Sequence, residues 1–174
     1  MAIPAAWLSN CAMKRVIAHW SAGGHKVSEI DREHYHIIWG GDGIPVRGDH
    51  EISDNVRTGD GDYAAHTRGC NTGSIGVSLA CMAGAVENPF KPGKFPMTKV
   101  QWDAMIDGIA QLCRFYKIPV TPQTVLSHAE VQGTLGIRQN GKWDFTRLAF
   151  DPSVKGAKAC GDKMRAEVSA KMKG

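Results

Sequence analysis

At 174 residues the chain is long enough for one domain and short for two. Its 43% hydrophobic and 22% charged residues are a globular composition, which excludes a disordered chain, a coiled coil and collagen. Twenty-one basic against 17 acidic side chains leave a net charge of +4, without the dense Lys/Arg block of a dedicated nucleic-acid binder. The longest uncharged apolar stretch, residues 74–86, is too short for a membrane span and is broken by glycines and polar residues. Five widely spaced cysteines (Cys11, Cys70, Cys81, Cys113, Cys160) with no C-x-x-C pair are neither a disulfide framework nor a zinc knuckle. At least one thiol is left over, as expected of a protein made in a reducing compartment. The first residues lack a basic segment ahead of a long apolar core, so no secretory signal is expected there.

The segment 15–19 reads as a short buried strand ending on His19, followed by a Ser-Ala-Gly-Gly loop. Ser28 with Asp31 three residues on marks a short helix start. Residues 35–39 are β-rich, and Gly40-Gly-Asp-Gly43 supplies a turn before 44–47, where Pro45 implies an edge or a bulge. Residues 48–71 form a long, polar, glycine-rich loop of functional appearance. Ile75, Val77 and Leu79 alternate through a strand at 74–80, and the three prolines of 87–97 make a surface connection. Thr98 and Gln101 form a capping box opening the clearest helix, 99–117, whose apolar positions keep the helical period until Ile118-Pro119. A short strand at 124–127 ends at His128, a loop spans 133–141, and a lysine-rich amphipathic helix follows Ala159. These elements predict an α/β fold, a central mixed β-sheet flanked by helices in one domain over 1–174, with its core at about 15–150 and the basic helix at about 159–174.

Seven histidines are the most informative feature, and His19 and His128 both fall at predicted strand ends. With Asp144 they form a set of two imidazoles and a carboxylate, the ligand type of a catalytic zinc that keeps one position open for water. On a strand, His34 and His36 would point the same way and make a rival H-x-H metal site, with Tyr35 on the opposite side. Ser127-His128 and Cys70 raise a Ser or Cys hydrolase, but no G-x-S-x-G elbow is present. From spacing alone these readings stay open.

The segments Val16-Ile-Ala-His19-Trp-Ser-Ala, Tyr35-His-Ile-Ile-Trp-Gly-Gly-Asp-Gly43, Ala65-His-Thr-Arg-Gly-Cys-Asn71, Ser74-Ile-Gly-Val-Ser-Leu79, Ser127-His-Ala-Glu130 and Lys142-Trp-Asp144, taken in order, resemble the zinc-dependent N-acetylmuramoyl-L-alanine amidases of type 2. This family includes phage lysozyme-type amidases and peptidoglycan recognition proteins. The resemblance implies a zinc ion in a surface groove, held by His19, His128 and Asp144, and cleavage of the amide between N-acetylmuramic acid and L-alanine. It implies catalytic roles for Tyr35 and Lys142, and a substrate contact for His66. There are two departures. The loop through 134–140 is longer than in compact members, and Ser78 stands where some bacterial members carry a glutamate general base.

The expected activity is that of a phage endolysin, made in the host cytoplasm without a signal peptide and acting on peptidoglycan after release. It is expected to be a monomer that binds no nucleic acid. The rivals are a cytosolic amidase recycling muropeptides and a non-catalytic peptidoglycan-binding module. Trp20, Trp39 and Trp143 are candidates for stacking on sugar, whereas Trp102 fits the core. The Met164, Val168, Met172 stripe, beside Lys158, Lys163, Arg165, Lys171 and Lys173, either meets an anionic wall or membrane surface or packs on the domain.

Overall fold

A computed structural model describes residues 2–173. After a 3₁₀ turn at Ala5–Trp7 the elements are β1 (Arg15–Trp20), α1 (Glu29–His34), β2 (Ile37–Trp39), β3 (Pro45–Arg47), a second 3₁₀ turn at Ile52–Val56, β4 (Ser74–Leu79), α2 (Lys99–Tyr116), β5 (Val125–Ser127), α3 (His128–Leu135) and α4 (Ala157–Lys173). One five-stranded sheet runs β3-β2-β4-β1-β5. Four strands are parallel and only β3, the edge strand that carries Pro45, is antiparallel. The mixed sheet expected from the sequence is therefore present.

Strand alternation divides the molecule into two unlike faces. Val16, Ala18 and Trp20 of β1, Ile75, Val77 and Leu79 of β4, and Val125 of β5 enter the main apolar core, which also takes Trp102, Met105 and Ile109 from α2 and Met164 and Val168 from α4. At Gly108 of α2 a Cβ would lie 2.3 Å from the Trp39 indole, so this glycine is what lets helix and strand approach. The other face is thin. There Ile17, Leu126 and Val131 pack with Cys70, while β4 contributes only the small residues Ser74, Gly76 and Ser78. Short side chains on that face leave room for a site.

Local signals explain the helices. Thr98 Oγ1 accepts from the Gln101 N–H at 3.1 Å and Gln101 Oε1 accepts from the Thr98 N–H at 3.2 Å, closing the box that starts α2. The same device opens α1, where Asp31 accepts from the Ser28 N–H at 2.9 Å and donates its own N–H to Ser28 Oγ at 3.1 Å. Helix α1 runs on to His34, so the strand expected at 35–39 begins only at Ile37 and Tyr35 is the C-cap. A third box, not anticipated from the sequence, starts α3 at His128: the Ser127 N–H donates to Glu130 Oε2 at 2.9 Å. The loop at 48–71 is organised by a buried amide instead of a ladder. Asn55 donates to the carbonyls of Ala64 and Asn71 (3.0 and 3.2 Å) and accepts from the Ala64 N–H at 2.9 Å.

The C-terminal helix takes the packing alternative. Met164 and Val168 are buried in the core, and Met172 packs against it. Arg165 is buried too. It donates to both oxygens of Glu130 at 2.9 and 3.1 Å and to the Val125 carbonyl at 3.0 Å, pinning α4 to α3 and β5. Lys163 and Lys171 pair with Glu167 and Asp107 at 2.9 and 2.8 Å, so this helix offers no continuous apolar stripe to a surface.

Candidate active site

The parallel register of β1 and β5 sets Ala18 opposite Ser127, which brings the next residues, His19 and His128, together at the ends of neighbouring strands. Their rings stand 4.7 Å apart, edge to face. Asp144 arrives from the loop after α3 and is tied down by the Ala129 N–H donating to its carbonyl at 3.3 Å. Oδ2 of Asp144 lies 3.1 Å from Nδ1 of His19 and 3.3 Å from Nδ1 of His128. Two donors about 2.0–2.2 Å from one ion at the tetrahedral angle stand roughly 3.3–3.5 Å apart. The three donor atoms, all within 4.8 Å of one another, therefore have the spacing and the chemistry to hold a metal ion.

The electrostatics agree with that use. Burial alone would raise the Asp144 carboxyl, but a hydrogen bond from His128 or His19, in whichever form of those rings carries a proton on Nδ1, holds it well below the usual carboxylate range. Burial pushes His19 down to about 4 and takes His66 well below the ordinary histidine value. A neutral imidazole beside an ionised carboxylate is the protonation state a metal ligand set requires. Burial, with the Asp144 and Asp31 carboxylates nearby, pushes the Tyr35 phenol far up, so Tyr35 is a proton-bearing donor at neutral pH.

Tyr35, His66, His128, Lys142, Trp143 and Asp144 all line one open cleft of about 500 Å³, with Trp20 at its wall. The Tyr35 ring is 5.1 Å from that of His19, and Lys142 is exposed on the rim. His66 is only 6% exposed. Its Nδ1 lies 3.2 Å from His19 Nε2 and 2.8 Å from Thr67 Oγ1. Its ring covers Gly76, where a Cβ would come within 2.4 Å. Gln139, which sequence reasoning passed over, meets His128 Nε2 through its Oε1 at 2.8 Å. A larger cleft of about 700 Å³, bounded by His25, Arg32, Asp42 and Ile44, brings together no comparable ligand set.

The rival sequence readings dissolve in this geometry. His34 closes α1, with its Nδ1 donating to the Ile30 carbonyl at 2.8 Å, whereas His36 is buried between the Asn55 amide oxygen and the Gly76 N–H, each at 3.0 Å. The two do not share a strand face, so no H-x-H site exists. Cys70 packs under Ile17 and accepts from Arg15 Nη1 at 3.0 Å, and Ser127 is fully buried at the start of α3. Neither is placed as a nucleophile. Trp39 and Trp102 are fully buried and Trp20 is only 5% exposed, which leaves Trp143, 4.8 Å from Trp20 edge to face, as the indole open to the cleft. Ser78 sits in register with His19 and is fully buried, so no carboxylate base projects from that position. All five cysteines are unpaired. Among the described residues a second group, His50, Asp54 and Asp62, also has metal-ligand spacing. No pattern in the sequence had pointed to it.

A mixed sheet carrying a buried His-His-Asp set in an open cleft defines a hydrolase-like α/β domain. Residues 9–145 match the N-acetylmuramoyl-L-alanine amidase family, type 2, and the chain belongs to that family. No curated protein matches it in sequence. Among solved structures it is similar to the N-acetylmuramoyl-L-alanine amidase LysC from Clostridium intestinale URNW, at 14% identity and a TM-score of 0.53 over 97% of this chain and 96% of that one. It is likewise similar to the endolysin N-acetylmuramoyl-L-alanine amidase LysCS from the same source, at 14% identity and a TM-score of 0.53 over 97% and 94% of the two chains. At that identity the likeness establishes the fold.

Proposed function

We propose that the protein is a zinc-dependent amidase that hydrolyses the bond between N-acetylmuramic acid and L-alanine in peptidoglycan. The observation that carries this reading is the convergence of two imidazole nitrogens on a single ionised carboxylate oxygen in an open cleft. Family membership supports amide hydrolysis, and the donor set of His19, His128 and Asp144 supports zinc. A zinc ion held there supplies Lewis acidity and a water acidified towards a pKa of about 7. Lys142, a cation on the rim, is available to meet the oxyanion of the tetrahedral intermediate. Tyr35 keeps its proton and acts as a hydrogen-bond donor that orients the reacting groups; with its pKa so high it does not serve as a base. Trp143 offers apolar ring surface to the sugar, backed by the buried Trp20.

The biological role we infer is that of an endolysin. The shared fold with the endolysin LysCS and the five unpaired thiols of this chain support it. Metal analysis and mass spectrometry of digested sacculi test the whole reading. About one zinc per chain, activity abolished by a chelator and restored by zinc, and new L-alanine amino termini on intact glycan strands are expected. Full activity in metal-free protein, or reducing sugars as the main product, would overturn it.

A further inference from the structure

The proton positions of the two histidines are set from behind by chains of hydrogen bonds that end on backbone carbonyls. Gln139 is held on three sides. Its N–H donates to Gln132 Oε1 at 2.9 Å, and its side-chain amide nitrogen donates to the carbonyls of Arg68 and Ile137 at 2.8 and 3.4 Å. A carbonyl accepts only, so the amide nitrogen has to face Arg68 and the amide oxygen has to face His128. That oxygen, 2.8 Å from His128 Nε2, in turn requires the imidazole proton on Nε2. Nδ1 is then a bare lone pair aimed at Asp144.

A matching chain stands behind His19. The carbonyl of Ser74, 3.4 Å from His66 Nε2, places the His66 proton there and leaves His66 Nδ1 as an acceptor. Thr67 Oγ1, 2.8 Å from His66 Nδ1, gives its proton to that lone pair, so His19 Nε2 faces two acceptors, His66 Nδ1 at 3.2 Å and Thr67 Oγ1 at 3.3 Å. His19 Nε2 is therefore the donor, and the Nδ1 lone pair of the same ring also points at Asp144. Without these chains the ionised Asp144 oxygen would be the best acceptor in reach, and each imidazole would place its proton on Nδ1, where it blocks a metal. Three lone pairs facing one another repel unless a cation lies between them.

We propose that Gln139, with His66 in the parallel role, is a positioning residue that fixes the metal-ready tautomer of its histidine. The inference rests on the reading of His19, His128 and Asp144 as metal ligands. It gives the long loop at 134–140 a task, since that loop delivers Gln139. It also gives His66, which lines the cleft, a second contact at the back of His19.

The test is made on metal-free protein by ¹H–¹⁵N NMR of the ring nitrogens and on zinc affinity measured against a chelator of known strength. In the wild type, His128 should carry its proton on Nε2. In Gln139→Met it should move to Nδ1, and zinc affinity should fall 10–100-fold, the usual effect of removing such a support. The His66→Phe, Thr67→Val double variant, which removes both acceptors behind His19, should produce the same tautomer change at His19 alone. A Gln139→Met protein with an unchanged tautomer and affinity within threefold of wild type would sink the proposal. His128→Ala is the separating control. If it binds zinc like the wild type, the metal reading itself fails, whatever Gln139 does.

Discussion

Replacing Arg165 by methionine should unfold the protein at a markedly lower temperature. The guanidinium is 7% exposed and donates to both Glu130 oxygens, to the Val125 carbonyl and to Asp162. Methionine fills most of the volume and makes none of these bonds. Glu130, 6% exposed, would keep only the Ser127 N–H. Breaking one side of a buried ion pair costs about 3–5 kcal/mol, because the remaining charge stays buried and unpaired. At roughly 2–4 °C per kcal/mol for a domain of this length, Tm should drop by about 6–20 °C. The Glu130→Gln, Arg165→Met double variant should recover a substantial part of the loss, since no bare charge is left behind. Calorimetry or circular-dichroism melts of the wild type, both single variants and the double variant measure this directly. A drop under 3 °C for Arg165→Met, or strict additivity in the double variant, would refute this reasoning.

Lys142→Met should keep its zinc and its fold yet lower turnover by roughly 10²–10³, the scale of losing one oxyanion donor, as steady-state kinetics on sacculi will read. Asp144→Ala should instead lose zinc, measured by metal content after dialysis. His36, held down to about 4 by burial, charges far more readily in the unfolded chain, whose histidines titrate near 6.5. Its contribution is therefore fully present above the unfolded value and is lost as pH falls from 6.5 towards 4, by about 2 kcal/mol between pH 7 and pH 5. Urea unfolding should show that part of the acid sensitivity removed in His36→Gln; an identical pH slope in both proteins would contradict it. Gly76→Ala should cost about 1–3 kcal/mol and displace the His66 ring, detectable by thermal melts and by the His66 ring resonances.

What was legible in the sequence was what local physics decides. The alternation in 74–80 and the helical period with its capping box at 99–117 led to β4 and α2, because apolar period and end signals act over a few residues. Tyr35-His-Ile-Ile-Trp misled for the same reason. Its β propensity is real, but the capping box at Ser28 starts a helix that consumes His34 before the strand begins. Helix α3 was missed although Ser127-x-x-Glu130 is a readable start signal, since a helix of eight residues containing Gly133 shows little period. The ligand set came from resemblance. His19 and Asp144 are 125 residues apart, and only the strand register and a loop crossing bring them together. Gln139 and Asn55 carry no local signal at all, because their roles depend on which carbonyls the folded chain leaves beside them.

The residue after Asp144 ties the site to the core in a way that constrains how this protein can change over evolutionary time. Phe145 takes a left-handed backbone, with φ at 64°, and inserts its fully buried ring beside Trp20 and Trp102 at 5.4 and 5.8 Å. One peptide step therefore carries the chain from the cleft, where Asp144 faces the histidines, into the main core on the other side of the sheet. That conformation costs of order 1 kcal/mol for a residue with a Cβ, and the packing of the ring is what offsets it. The position of Asp144 is thus inherited from the volume available between two tryptophans. A core substitution at Trp102, which packs on the Phe145 ring, should therefore shift the carboxylate unless a second change refills the space. Drift in this part of the core should proceed by paired replacements, so that packing and chemistry evolve together here while the loops of the outer surface vary on their own.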